Sequence, residues 1–366
     1  MKIFYSLDSY GSVERAGRSY CDLIQNDIAQ SGRHHLAPSV ETADVVILHR
    51  LPLDFGNIYR LFPVLRSKYV IAPCTWETDE LPDCYKRSIE HVQEIWAPSH
   101  YSQKAFQKHH PRVLCLPHVI DRDMGCGAHE RKRVRERIGY SRENMYYLMI
   151  TKLWDTRKNA KAVIRAFEEQ RSAMPRARLI IKASPQDQLA ASSDNRIVTI
   201  CDELSWQEIN ALYEYSDVYV SAHHSEGWGW TLSDALLFGK PTIATGYSGN
   251  MEFMNRDNSI LLDFIEDYIH PEDTWGNFFT RKMRWAYPIE TDLAKKMVES
   301  YRCWSKVAAW QKCQAPPDLE RFRGAAVARR LESRFDQLEH GELNPPHTDS
   351  PSHKCYPDLF TRTEAF

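Results

Sequence analysis

The sequence predicts an α/β protein built from two similar doubly wound units in tandem, each with a parallel sheet. Three observations carry this. Short β-type apolar runs alternate with helical patterns through both halves of the chain, which argues for strand–helix–strand units. A cluster around Pro117 and Gly125-Cys126-Gly127 breaks that alternation once, near residue 120. At 366 residues the chain is long enough for two domains that each bury a core.

In the first half the predicted strands are 2–6, 44–49, 69–74, 94–97 and 113–116, with helical patterns near 13–30, 55–66, 85–92 and 99–108. After residue 143 the alternation resumes. Strands are expected at 145–151, 178–182, 196–201 and 218–221. Residues 159–170 place Val163, Ile164 and Phe167 on one helix face, and Ser205-Trp206-Gln207-Glu208 reads as a capping box opening a helix through 214. From 293 the pattern is helical, over 293–307 and 319–338. The remainder is rich in Pro, His, Ser and Thr without periodicity. The expected organisation is therefore an N-terminal domain at 1–120, a connection at 121–143, a second domain at 144–300, helices at 301–340 packing near the domain joint, and a loosely held tail at 341–366.

Composition narrows the function classes. A net charge of −2 gives no general attraction to nucleic acid or anionic membranes. No apolar run approaches the ~20 residues of a membrane span, and the chain opens on a strand rather than a signal-peptide core. Nine cysteines, an odd count without a C-x-x-C pair, speak for reduced thiols. A cytoplasmic protein is expected.

The most informative stretch is 225–252. Glu226 sits on a loop bracketed by Gly227 and Gly229, a short helix opens near Trp230 and carries Asp234, and Gly239 and Pro241 lead into the next strand. Glycines let backbone N–H groups approach phosphate oxygens, the helix N-terminus favours an anion, and the carboxylates accept hydrogen bonds from hydroxyls. The layout suits a ligand that is both polyhydroxylated and phosphorylated. At the carboxyl end of an earlier strand, Lys152 and Lys158 flank a second loop at the same sheet edge. Two cations and a helix terminus can neutralise a departing diphosphate without a metal. Taken alone, Lys152, Arg157 and Lys158 read rather as solvated surface charges, as most lysines are, and it is the neighbouring motif that turns the reading.

These segments resemble the retaining glycosyltransferases of family four. That family carries two glutamates separated by seven residues in E-G-F-G-x-x-x-x-E-A with a later G-x-P; here stand Glu226-Gly227-Trp228-Gly229, Asp234-Ala235 and Gly239-Lys240-Pro241. The family's Arg and Lys, six residues apart, fall on Lys152 and Lys158. Supporting likenesses are Pro117-His118-Val119-Ile120-Asp121, Asp217-Val218-Tyr219-Val220, Ser248-Gly249-Asn250 with Glu252, and Trp285-Ala286-Tyr287-Pro288. The likeness is firm from about 94 to 297. It implies a GT-B fold of two facing Rossmann-like domains, and a hexosyltransferase using a nucleoside-diphosphate sugar and a hydroxyl acceptor, without metal or other cofactor. It also implies roles: Glu226 on the transferred sugar, Asp234 on the ribose, Lys152 and Lys158 on the diphosphate. The N–H groups of Gly229 and Trp230 face phosphate or sugar, Gly227 and Trp228 complete the donor loop, and Gly11 approaches the donor from the first domain.

The departures are specific. Asp234 is one methylene shorter than the family's Glu, and Lys152 replaces a forked Arg by a point charge. The cleft His that many members carry is absent, the place reading Cys74-Thr75-Trp76-Glu77, and His49 is the alternative. Trp76 and Glu77 are acceptor-side candidates, since rings pack on sugar faces and acids take hydroxyl hydrogen bonds; a plain acidic loop with one buried Trp fits equally. The acceptor, a glycan, a lipid-linked sugar or a small molecule, is not specified, and peripheral contact with a membrane's inner face stays open. A sugar-nucleotide epimerase or phosphorylase on the same fold, and a non-catalytic sugar-nucleotide binder, are the alternatives. Asp121-Arg122-Asp123 spells D-x-D but lies in the interdomain connection, away from any nucleotide-binding strand. The paired histidines at 34–35, 109–110 and 223–224 lack zinc spacing, and the basic run at 131–135 reads as a solvated helix face.

Overall fold

The computed structural model describes residues 1–7, 11–53, 55–187, 194–304 and 317–342. The end of the expected 293–307 helix and the expected tail from 343 lie outside them.

The N-terminal domain runs β1 (Lys2–Leu7), α1 (Gly11–Leu23), β2 (His35–Leu36), β3 (Val45–His49), α2 (Phe55–Leu61), β4 (Tyr69–Pro73), α3 (Asp83–Ile89), β5 (Glu94–Ala97), α4 (His100–Gln107) and β6 (Val113–Cys115). All strands are parallel, in the order β2-β1-β3-β4-β5-β6. β3 and β4 are buried at every position, as continuous apolar runs covered on both faces must be. The expected 13–30 helix ends at Leu23 and finishes as a π turn and a 3-10 turn. Pro63 likewise cuts α2 short and opens a 3-10 turn.

After α5 (Ala128–Arg137) the second domain follows as β7 (Met145–Ile150), α6 (Ala160–Glu169), β8 (Ala177–Lys182), β9 (Ile197–Ile200), α7 (Trp206–Tyr215), β10 (Val218–Ser221), α8 (Trp230–Leu237), β11 (Thr242–Thr245) and β12 (Ile260–Leu262). This sheet is also wholly parallel, in the order β12-β11-β10-β7-β8-β9. The capping box is formed: Ser205 accepts from Glu208 N and Glu208 accepts from Ser205 N. The basic α5 buries only Val134 and pairs its charges with α7, through Arg131–Glu214 and Arg133–Glu208.

Two elements join the halves. An antiparallel hairpin, β13 (Phe264–Tyr268) and β14 (Arg284–Pro288), sends Ile269, Phe279, Met283 and Trp285 into the core that holds Trp76, Tyr85 and Ile95 of the first domain. After α9 (Glu290–Arg302), a 3-10 turn packs Leu319 and Phe322 on the second domain, and α10 (Gly324–Gln337) returns to the first. There Val327, Leu331 and Phe335 fill one core with Ile3, Tyr20 and Ile47. Asp121, from the D-x-D stretch, accepts from Gly324 N at the start of α10 (2.6 Å). No helix among the described residues is long and apolar enough to cross a membrane.

Candidate active site

β7 and β10 are neighbours from which the sheet winds in opposite directions, and the loops leaving their carboxyl ends stand at the edge where open α/β sheets bind ligands. After β7, Asp155 accepts from Arg157 N (3.1 Å) and caps a 3-10 turn, Thr156–Lys158. Asn159 then takes a left-handed φ of 48° to turn the chain into α6. This tight turn sends Arg157 inward and Lys158 toward the loop after β10.

There they meet Glu226. Lys158 Nζ lies 2.6 Å from one carboxylate oxygen and Arg157 Nη1 3.1 Å from the other. Arg157 also donates to Ser225 O (2.7 Å) and Asp155 Oδ2 (3.0 Å). Burial alone would raise the Glu226 carboxyl, but Lys158 and Arg157 outweigh it and hold the group down to about 2. It is an anion at neutral pH, held between two cations.

Lys152 lies elsewhere on the same loop, exposed, with its ammonium 5.4 Å from the centre of the Trp154 ring. The second cation on Glu226 is Arg157, which the sequence reading did not assign to the donor site. The signal that separates them is the Asp155 cap, which fixes which side chain of the turn faces in.

Gly229 adopts φ +94°, a conformation that favours glycine, and delivers the chain to α8. Gly227 is held closely: a Cβ there would stand 2.1 Å from Thr75 Cγ2 and 3.3 Å from Trp76 O. Its carbonyl accepts from Ser99 Oγ (2.7 Å) at the start of α4. Trp228 is a core residue, packed on Phe253 and Phe322. Trp230 is sandwiched between His118 (4.8 Å, interplanar 8°) and the Arg15 guanidinium (3.9 Å).

Asp234, on α8, is nearly buried and holds two arginines. Arg15 of α1 makes a bidentate pair with it (2.7 and 2.9 Å), and Arg122 of the interdomain connection a third contact (2.6 Å). Gly11 opens α1 four residues before Arg15, with φ +38°.

The acceptor-side candidates separate. Trp76 is 2% exposed; its indole N–H is shared by Thr78 Oγ1 and Glu80 O (both 2.7 Å), and its ring stacks on Phe279. It belongs to the core, so no sugar can pack on it. His49 is also packed, 2.6 Å from the Tyr5 hydroxyl and against the Tyr20 ring. Glu77 is half-buried and faces the cluster across the domain seam. Burial raises its carboxyl, Glu226 and Asp155 push the same way, and Arg157 and Lys158 oppose them.

The paired histidines beside Glu226 are structural. His223 sits between Ser221 Oγ (3.0 Å) and Asn250 Oδ1 (3.1 Å), and His224 stacks on Trp285 and bonds Ala286 O (2.7 Å). Burial brings both down to about 4 and His49 to about 3. Each therefore takes a proton more readily unfolded than folded. The stability they contribute is complete above their ordinary value of 6.5 and is lost as pH falls toward 4. Urea midpoints are expected to be lower at about pH 5 than at about pH 7.5; equal midpoints would show that these imidazoles are not held neutral.

Residues 145–268 match the family model described as glycosyl transferases group 1. No curated protein matches the chain by sequence. Among solved structures, Anabaena HepE with UDP and glucose is similar over 92% of this chain and 99% of its own, at 13% identity and a TM-score of 0.63. Sucrose-phosphate synthase from Thermosynechococcus elongatus covers 92% and 98% at 10% identity and a TM-score of 0.64. WaaG, a glycosyltransferase involved in lipopolysaccharide biosynthesis, covers 93% and 100% at 13% identity and a TM-score of 0.54. At these identities the likeness is one of fold.

Proposed function

Starting from a chain with the GT-B fold and a group 1 glycosyl transferase domain at 145–268, we propose that it transfers a hexose from a nucleoside-diphosphate sugar to a hydroxyl acceptor, with retention at the anomeric carbon. The observation that carries this is Glu226 fixed between Lys158 and Arg157 at the switch point of the second sheet. HepE, a fold neighbour solved with UDP and glucose, supports this donor class by analogy.

In this reading Glu226 orients the sugar. Lys158, Arg157 and the N-terminus of α8 stabilise charge on the leaving diphosphate, so that no divalent cation is required at the transition state. Lys152, at the loop's outer edge, adds a further positive charge. Glu77 approaches the sugar from the first domain and receives the acceptor hydroxyl. Its raised carboxyl makes it a candidate to exchange a proton there, which favours a hydroxylic acceptor such as a glycan or lipid-linked sugar. Contact between Gly227 and Thr75 closes the domains around the reacting bond and excludes water.

Asp234 binds the ribose hydroxyls once Arg15 lets go of it, and Arg15 then turns to the phosphates. Asp234→Ala is therefore expected to raise the donor KM at least about tenfold, the worth of a charge-assisted hydrogen bond, with a smaller change in kcat. An unchanged KM would remove Asp234 from the ribose site.

His49 is packed against Tyr5 and Tyr20 and does not supply the family's cleft histidine, which favours a second reading, in which the chain binds sugar nucleotides without turnover. Incubation with UDP, GDP and ADP sugars, followed by proton NMR of the products, separates the two. Release of nucleoside diphosphate with an α-linked product from an α-linked donor, lost in Lys158→Ala and not increased by Mg²⁺ or Mn²⁺ after chelation, supports transfer. Tight binding with no release supports the second reading, and an inverted product excludes retention.

A further inference from the structure

His100 opens α4, Cys115 ends β6, and Glu252 closes a 3-10 turn, Gly249–Glu252, in the second domain. His100 Nδ1 stands 3.8 Å from Cys115 Sγ and 2.9 Å from both Glu252 oxygens, and the three donor groups lie within 4.8 Å of one another. A thiol, an imidazole and a carboxylate form the mixed sulfur, nitrogen and oxygen set that suits zinc. Tetrahedral zinc with its usual bond lengths separates such ligand atoms by about 3.3–3.6 Å. The 2.9 and 3.8 Å separations straddle that spacing, and the third, between the thiol and the Glu252 carboxylate, lies within 4.8 Å, so the side chains must draw together on the ion.

We propose that a zinc-class divalent cation binds His100 Nδ1, Cys115 Sγ and one Glu252 oxygen, with water in the fourth position, and clips the two domains together. The other Glu252 oxygen keeps its hydrogen bond from His100 N (2.9 Å), which holds the carboxylate in place as a second shell would. On binding, the thiol gives up its proton to solvent and the neutral imidazole carries its proton on Nε2. The thiolate and carboxylate then balance the charge of the dication. Metal uptake thus releases the thiol proton, as thiolate ligation generally does.

The clip bears on the transfer site through the backbone. The Gly249–Glu252 turn donates from Gly249 N to Glu226 O (2.8 Å), and Ser99, the N-cap of α4, donates to Gly227 O. Bound metal thus ties down both sides of the loop that carries Glu226. The ligands lie 15 and 152 positions apart, which is why zinc spacing is invisible in the sequence.

The test uses the full chain stripped with a chelator and titrated with Co²⁺, then Zn²⁺. Expected are a near-ultraviolet thiolate-to-cobalt band saturating at one equivalent, its displacement by Zn²⁺, and a rise in melting temperature with Zn²⁺. Cys115→Ser and His100→Ala each lose that equivalent and that rise, whereas Cys303→Ser, at an exposed cysteine, keeps both. His100 is largely exposed, so its variant reports even if Cys115→Ser folds poorly. No thiolate band, or the same band and stoichiometry in His100→Ala, overturns the proposal. None of these readouts depends on sugar transfer.

Discussion

Glu226→Ala is expected to lower kcat for sugar transfer by more than about 100-fold, the scale set by losing a preorganised charged group at a transition state. It also leaves the buried Arg157 guanidinium and the Lys158 ammonium without their shared anion. Breaking a buried pair from one side costs about 3–5 kcal/mol, so the urea midpoint should fall with the activity. Glu226→Gln, which keeps the shape and can still accept one hydrogen bond, should recover much of the stability and little of the rate. Full activity in the Gln variant would mean that the carboxylate charge has no part in the reaction.

Gly249→Ala should be nearly as damaging, for a purely steric reason. A Cβ at 249 would lie 2.1 Å from Gly227 O, 2.3 Å from Gly227 C and 2.7 Å from Glu226 O. These are backbone atoms, which no rotamer change can move. The two loops must separate, breaking the Gly249–Glu226 hydrogen bond. A loss of about 3 kcal/mol, at the upper end for overpacking, is expected together with loss of transfer. Gly246→Ala is the matched control, because its nearest contact would be an ordinary 3.4 Å. Equal stability of the two variants would refute the steric account.

Apart from the short edge strands β2 and β12, which were not expected, both sheets were legible because parallel strands leave long apolar runs: β3, β4 and β7 are buried almost throughout. The loop at Glu226 was legible from its glycines. What escaped depends on partners far away in the chain. Trp76 among acidic residues resembles a sugar platform until Phe279 arrives from the hairpin to stack on it. Asp234 resembles an open ribose acceptor until Arg15 and Arg122 converge from other segments. The hairpin itself was hidden because β13 is largely exposed and lacks an apolar run. Arg157 was passed over for Lys152 because adjacent cations in a turn differ only in direction, and the Asp155 cap sets that direction.

The closing helix has a consequence for synthesis. Val327, Leu331 and Phe335 share a core with Ile3, Tyr20 and Ile47, so the first domain lacks one wall until the second has been translated. Its sheet must wait with an oily flank uncovered while the other half can already assemble. The first domain is thus completed after the second, and a chain truncated before residue 324 is expected to aggregate.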